Sequence, residues 1–442
     1  MKIRKNPKKN RTRHAIPVVI LSTVLLFTMS VFYIDSTSSS AAGTDHLFLP
    51  DSTVTNTASD DSTNEGSDNS TDEDGTTEYL VTTEYPDEPG KAPELASNYA
   101  IVLDANTGNI LYQKNAFDKQ YPASITKIMT FLLAIENTKL TDTVTMSHDA
   151  VFGIDRGSSH IGLDEGEQIS MEDALYGMML ESANEVAWGI GEFVSGGSIE
   201  DFAKMMNERA VKLGCLGTHF VNANGLPDET HYTTAGDMMK IAKAAWYNPR
   251  FRKFVTTQVY EIPPTNKQSE TRYLLNHHKM MPGQSYAYDG VLGGKTGYTD
   301  AAGSTLVTYA KRGNSILIAV VLNSTNGAFP DTTSLLDYGF DNFEKVDLNI
   351  DTDPVPAVFL PCEKHLLKDW NNLCSFYYMR HVYVTVPTGI DVSQLVKKQK
   401  LLNNSVGPKR IKSKYYLDGH MVGYGMQYEK EILSDLLLNT SF

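Results

Sequence analysis

Cysteine is scarce in this 442-residue chain: there are three, Cys215, Cys362 and Cys374. So few exclude a scaffold built on disulfides, and no Cys/His spacing fits a metal site, so no cofactor is expected. Cys362 and Cys374 fall in one small region, where a bridge and two buried free thiols stand as alternative readings. His277 and His278 are adjacent and so point apart, which suits surface or core residues better than a ligand pair. Lys and Arg are missing from Asp35 to Gly90, while fourteen Asp and Glu lie between Asp35 and Pro93. That number equals the size of the whole chain's net charge of -14, so the acidity belongs to this stretch and says little about the rest. The one basic cluster, within Met1–His14, precedes an apolar run, and nothing supports nucleic-acid binding.

What is present divides the chain into four. Residues 1–34 join the basic cluster to Ala15–Ile34, an uncharged apolar stretch. About twenty residues span the hydrocarbon core of a bilayer, and the basic flank keeps the N-terminus in the cytoplasm. The expectation is a single-pass anchor with the remainder extracytoplasmic. A cleavable signal peptide ending near Ser40-Ala41-Ala42 is the competing reading. Residues 35–93, rich in Ser, Thr, Asp and Glu, cannot bury enough apolar surface to order themselves and read as a linker. Residues 94–345 form the main domain and residues 346–442 a smaller β-rich one.

Within the main domain, Tyr99–Leu103 and Ile110–Gln113 read as strands around an Asn-Thr-Gly-Asn turn. A helix follows from Pro122, with Ile125, Ile128, Met129, Leu132, Leu133 and Ile135 at helical spacing. Ser170 opens another helix through Leu180, a further one runs from Val186 to Val194, and helices dominate from Asp201 to Phe254. Ser304–Ala310 and Ser315–Leu322 read as a hairpin. Strands, helices and strands again predict an α+β fold, an antiparallel sheet flanked by helices.

Ser124 and Lys127 are three apart and therefore share a helix face at its N-terminus. A serine needs a base to become a nucleophile, and lysine serves only when neutral. Since roughly one free lysine in a thousand is neutral near pH 7, burial and a second cation must depress this one. Two more short elements follow in order, Ser182-Ala183-Asn184 and Lys295-Thr296-Gly297. Alone, the first also reads as a helix cap and the second as a turn at a strand edge. The triple set is that of penicillin-binding proteins and serine β-lactamases.

Further stretches, among them Gly157-Ser158-Ser159, Asn222-Ala223-Asn224-Gly225-Leu226-Pro227 and Thr233-Thr234-Ala235-Gly236-Asp237-Met238, resemble the D-alanyl-D-alanine carboxypeptidase family of low-molecular-mass penicillin-binding proteins over about residues 94–345. The last domain resembles, more weakly, the family's β-rich C-terminal domain. The resemblance implies a β-lactamase/transpeptidase-like fold and removal of the terminal D-alanine from peptidoglycan stem peptides. It implies Ser124 as nucleophile, Lys127 as proton acceptor, Ser182 as proton relay and Asn184 as a holder of substrate and of Lys127. Backbone N–H groups of Ser124 and Tyr298 would form the oxyanion hole, while Lys295, Thr296 and Gly297 would bind substrate. β-Lactams would acylate Ser124 as covalent inhibitors.

Two departures from the family stand out. Relatives carry an arginine just before the segment matching Leu335–Phe340, whereas this chain has Ala328-Phe329-Pro330-Asp331 there and no arginine between Arg312 and Arg380. Relatives often end in an amphipathic membrane helix; here the N-terminal span would serve as anchor. A β-lactamase would need a carboxylate in a Glu-x-x-Leu-Asn setting, and Glu270–Asn276 has the wrong spacing. A wall-binding or β-lactam-sensing module without turnover is the remaining alternative.

Overall fold

The computed structural model describes residues 90–155, 157–348, 374–378, 381–402 and 410–431. The expected membrane span, nearly all of the linker and Cys362 lie outside the described residues. Among the described residues no helix is long and apolar enough to cross a membrane.

Period-two alternation builds the central sheet. In β1 (Ser97–Asp104), Ile101 and Leu103 enter one core and Ala100 and Val102 another, all buried. β2 (Ile110–Lys114) returns antiparallel across the expected turn, where Gly108 takes positive φ. A 3-10 turn, Ala123–Thr126, then leads into α1 (Lys127–Asn137). The expected single helix from Pro122 is thus divided, with Ser124 in the tight turn and Lys127 at the first α position.

The helical region comprises β3 (Thr143–Thr145), α2 (His148–Phe152), β4 (Gln168–Ser170), α3 (Met171–Leu180), α4 (Asn184–Ser195), α5 (Ile199–Lys212), α6 (Ala235–Tyr247) and α7 (Pro249–Val255). Ser170, Ser198 and Thr234 cap α3, α5 and α6, each side-chain oxygen accepting the N–H of an aspartate three residues on. Two short ladders, β3 with β4 and β5 (Val259–Ile262) with β6 (Arg272–Leu275), fasten the edges.

β7 (Val291–Thr299), β8 (Gly303–Arg312) and β9 (Ser315–Ser324) complete a five-stranded antiparallel sheet ordered β2-β1-β9-β8-β7. β7 was read only as a possible strand edge. Its glycines suppress the strand signal because the backbone itself is packed: a Cβ at Gly294 would stand 1.9 Å from the Val307 carbonyl oxygen. α8 (Ala328–Asn342) also escaped the sequence reading. Pro330, Thr332, Thr333 and Gly339 are weak helix formers, and packing of Leu335, Leu336 and Tyr338 against the sheet overrides them.

The C-terminal region is all β among the described residues. β10 (Phe343–Asp347), directly after α8, pairs with β12 (Tyr383–Pro387). β11 (Cys374–Tyr378), β13 (Val396–Leu402), β14 (Arg410–Leu417) and β15 (His420–Glu431) form a second sheet ordered β11-β15-β14-β13. Val382, Val384, Val386, Tyr415, Leu417 and Val422 make its core. Thr385 joins it to the β1–β2 turn, accepting from Asn109 Nδ2 at 2.7 Å and sharing a hydroxyl contact with Thr107 at 2.8 Å.

Candidate active site

The turn that carries Ser124 is held under tension. Ala123, immediately before it, has φ 50°, and Ser182, across the cleft, has φ 60°. Left-handed backbone at non-glycine residues costs on the order of 1–3 kcal/mol each and persists only where the surroundings enforce it. The enforcing contacts are visible. Thr305 Oγ1 donates to the Pro122 carbonyl at 2.9 Å, clamping the turn to β8. A Cβ at Gly297 would lie 2.8 Å from the Ser124 nitrogen, so only glycine lets β7 come this close.

Lys127 is fully buried, and its amine meets three oxygens: Ser124 Oγ at 2.9 Å, Asn184 Oδ1 at 2.7 Å and the Asn224 carbonyl at 2.6 Å. The last two can only accept. A neutral amine has two N–H donors and one lone pair, so these acceptors take both hydrogens and the lone pair is left for the Ser124 hydroxyl. The arrangement prepares lysine as a base. Burial pushes its pKa well down, the charge of Lys295 pushes it further, and Glu185 opposes both. The sequence argument had asked for burial and a second cation; both are present, with burial the larger. Lys295 is itself buried, donates to the Thr296 carbonyl at 2.9 Å, and is pulled by burial to about 7. Below that value it carries the charge that acts on Lys127.

Ser124, Ser182, Asn184, Thr296, Gly297 and Tyr298 line one cleft of about 660 Å³, with Lys127 and Lys295 buried beside it. The structure therefore brings all eight sequence-predicted residues together. The helix-cap alternative for Asn184 is not realised: the N-cap of α4 is Ala183, and the Asn184 side chain accepts from Lys127 instead. β7 is an edge strand of its sheet, so one row of its backbone groups has no strand partner. Thr296, Gly297 and Tyr298 place that strand along the cleft.

Several participants had not been singled out for a role. The Asn224 carbonyl is one, and Gly225 explains its position: φ is 85°, and a Cβ there would stand 1.9 Å from the Ala123 carbonyl oxygen. His231 is another. Its Nδ1 accepts from the Val221 N–H at 3.1 Å, which leaves Nε2–H to donate to Thr126 Oγ1 at 3.0 Å. Burial lowers it to about 4, so it stays neutral and braces the Ser124 turn. Glu185, raised by burial, accepts from the Ile161 N–H at 2.7 Å and ties down the loop of Gly157, Ser158 and Ser159, which lines the cleft. Of the two histidines, His278 is buried against Thr308, while His277 lines the cleft and pairs with Glu181 at 2.9 Å.

Comparison with known proteins agrees with this geometry. Residues 87–326 match the family model described as D-alanyl-D-alanine carboxypeptidase, peptidase S11. D-alanyl-D-alanine carboxypeptidase DacF of Bacillus subtilis is 36% identical over 252 residues, 55% of this chain and 62% of that one. The chain thus spans under two thirds of that relative's length. A Streptomyces D-alanyl-D-alanine carboxypeptidase is 31% identical over 56% of this chain and 88% of its own. The crystal structure of penicillin binding protein 5 from Haemophilus influenzae superposes with a TM-score of 0.62 at 25% identity, covering 77% of this chain and 99% of that one. With the family model matched over more than half of its length and the paired serine and lysine in one cleft, this chain belongs to the D-alanyl-D-alanine carboxypeptidase family.

Proposed function

We propose that this chain is a serine-type D-Ala-D-Ala carboxypeptidase that trims peptidoglycan stem peptides and is acylated by β-lactams. The observation that carries the reading is the Lys127 amine, whose two acceptor-only partners turn its lone pair on Ser124. The Ser124 hydroxyl attacks the carbonyl between the two D-alanines, and its proton passes to Lys127. The oxyanion forms against the backbone N–H groups of Ser124 and Tyr298, each such donor being typically worth about a hundred- to thousand-fold in rate. The C–N bond breaks, the departing D-alanine amine takes a proton through Ser182, and Asn184 holds both the substrate amide and Lys127. Water, deprotonated in the same way, then releases the shortened peptide. Proton transfer among side chains suffices, and no cofactor is called for.

The same reading divides the protein at about residues 34, 93 and 345, with an N-terminal membrane anchor, a linker, the catalytic domain outside the cytoplasm and a β-rich C-terminal domain. The basic flank and uncharged run of Ala15–Ile34 support the anchor.

The full chain, given diacetyl-Lys-D-Ala-D-Ala and its L-Ala-L-Ala counterpart, is expected to release D-alanine from the first and nothing from the second. Equal release from both, or none from either, would remove the assignment.

A further inference from the structure

The cleft has a one-sided charge. Among the described residues that line it there is no aspartate or glutamate, while His277 and Lys279 face it from the segment between β6 and β7. His277 already has a counterion in Glu181, whose other oxygen accepts the Leu275 N–H at 2.6 Å. Lys295 lies behind the wall, 2% exposed, and donates to a backbone carbonyl. Lys279 has no ion pair or side-chain hydrogen bond among the described residues, and it is exposed at the cleft.

Its base is rigid. The flanking residues His278 and Met280 are both buried, the first bonded through Nε2 to Thr308 Oγ1 at 2.9 Å. The Lys279 carbonyl accepts the Tyr286 N–H at 2.9 Å, and the Tyr286 ring stacks at 5.2 Å on Phe329, another cleft residue. Phe329 belongs to the stretch that stands where relatives carry an arginine. Asp331, in the same stretch, is committed elsewhere: its carboxylate accepts the Ala96 and Ser97 N–H groups at 3.0 and 2.7 Å and so fixes the start of β1. That part of the chain therefore offers an apolar wall and no charge to the cleft.

We infer that Lys279 supplies the positive charge that recognises the free C-terminal carboxylate of the substrate, with the Thr296 hydroxyl as the neutral donor beside it. This rests on the proposed carboxypeptidase reading and specifies its substrate class: peptides, or β-lactams, that end in an ionised carboxylate. The site accordingly discriminates against C-terminal amides. A lysine ammonium is a point charge on a flexible stem rather than a planar fork, so the contact tolerates more than one carboxylate position. Being exposed, it also weakens as salt is added.

The test compares Lys279→Met and Lys279→Arg with the wild-type chain. For diacetyl-Lys-D-Ala-D-Ala, Lys279→Met is expected to lower kcat/KM roughly tenfold, chiefly through KM, with Lys279→Arg restoring most of the loss. With the C-terminal amide of the same peptide, wild type and Lys279→Met should be equal. Equal loss on acid and amide, or none on the acid, would overturn the inference. Acylation by benzylpenicillin against its methyl ester gives the same comparison without peptide turnover. There Lys279→Met should slow only the free acid, and equal rates would overturn the inference even if the peptidase reading itself had failed.

Discussion

Lys127→Arg is expected to reduce the acylation rate of Ser124 by about 10²- to 10⁴-fold, the range for loss of a positioned general base. Arginine keeps the positive charge and a long stem but cannot lose its proton, so it isolates the neutral lone pair as the quantity that matters. Labelling with a fluorescent penicillin reads the rate directly. The wild-type rate should rise with pH through the depressed pKa of Lys127 and level off well below the 10.5 of a free lysine, because only the neutral amine accepts the proton. A lysine-like limb near 10.5, or near-normal acylation by Lys127→Arg, would mean that another group is the base.

Gly225→Ala should damage both fold and activity. The new methyl would stand 1.9 Å from the Ala123 carbonyl oxygen, and the backbone there has φ 85°. Backbone cannot yield as a flexible side chain would. The left-handed conformation alone costs an L-residue roughly 1–2 kcal/mol, and relieving the clash raises the total to about 3 kcal/mol or more. For a domain of this size that corresponds to a fall in Tm of about 6–12 °C. The clash presses on the residue before Ser124, while the Asn224 carbonyl that orients Lys127 lies one residue upstream, so acylation should fall more than stability explains. A calorimetric scan beside penicillin labelling measures both. An unchanged Tm with full labelling would show that Gly225 has no part in holding the turn.

The legible parts of this protein were those in which side-chain pattern and chemistry coincide. Ser124 and Lys127 could be paired because their separation is one helical turn, and Ile101, Leu103, Ile318 and Val320 alternate as strand residues must. β7 was not legible as a strand, since Gly293, Gly294 and Gly297 are there for close backbone approach and carry no strand propensity. The Asn224 carbonyl escaped because a backbone oxygen has no signature in the residue type. His231 escaped because a buried neutral histidine reads like any other until Thr126 and Val221 are found on its two nitrogens. Lys279 was invisible for the opposite reason: an exposed lysine is ordinary, and only the absence of carboxylates around the cleft gives it meaning. For Ser182 and Asn184 the residue types were right, while the strained φ that presents Ser182 follows only from the packed loop between α3 and α4.

The measurement closest to the centre of the account is D-alanine release from diacetyl-Lys-D-Ala-D-Ala by the full chain beside its Ser124→Ala variant. The expected result is steady release by the wild type and none above background by the variant, with penicillin labelling lost in parallel. Release that continues at a comparable rate in Ser124→Ala would contradict the assignment of Ser124 as the nucleophile, and with it the mechanism built on Lys127.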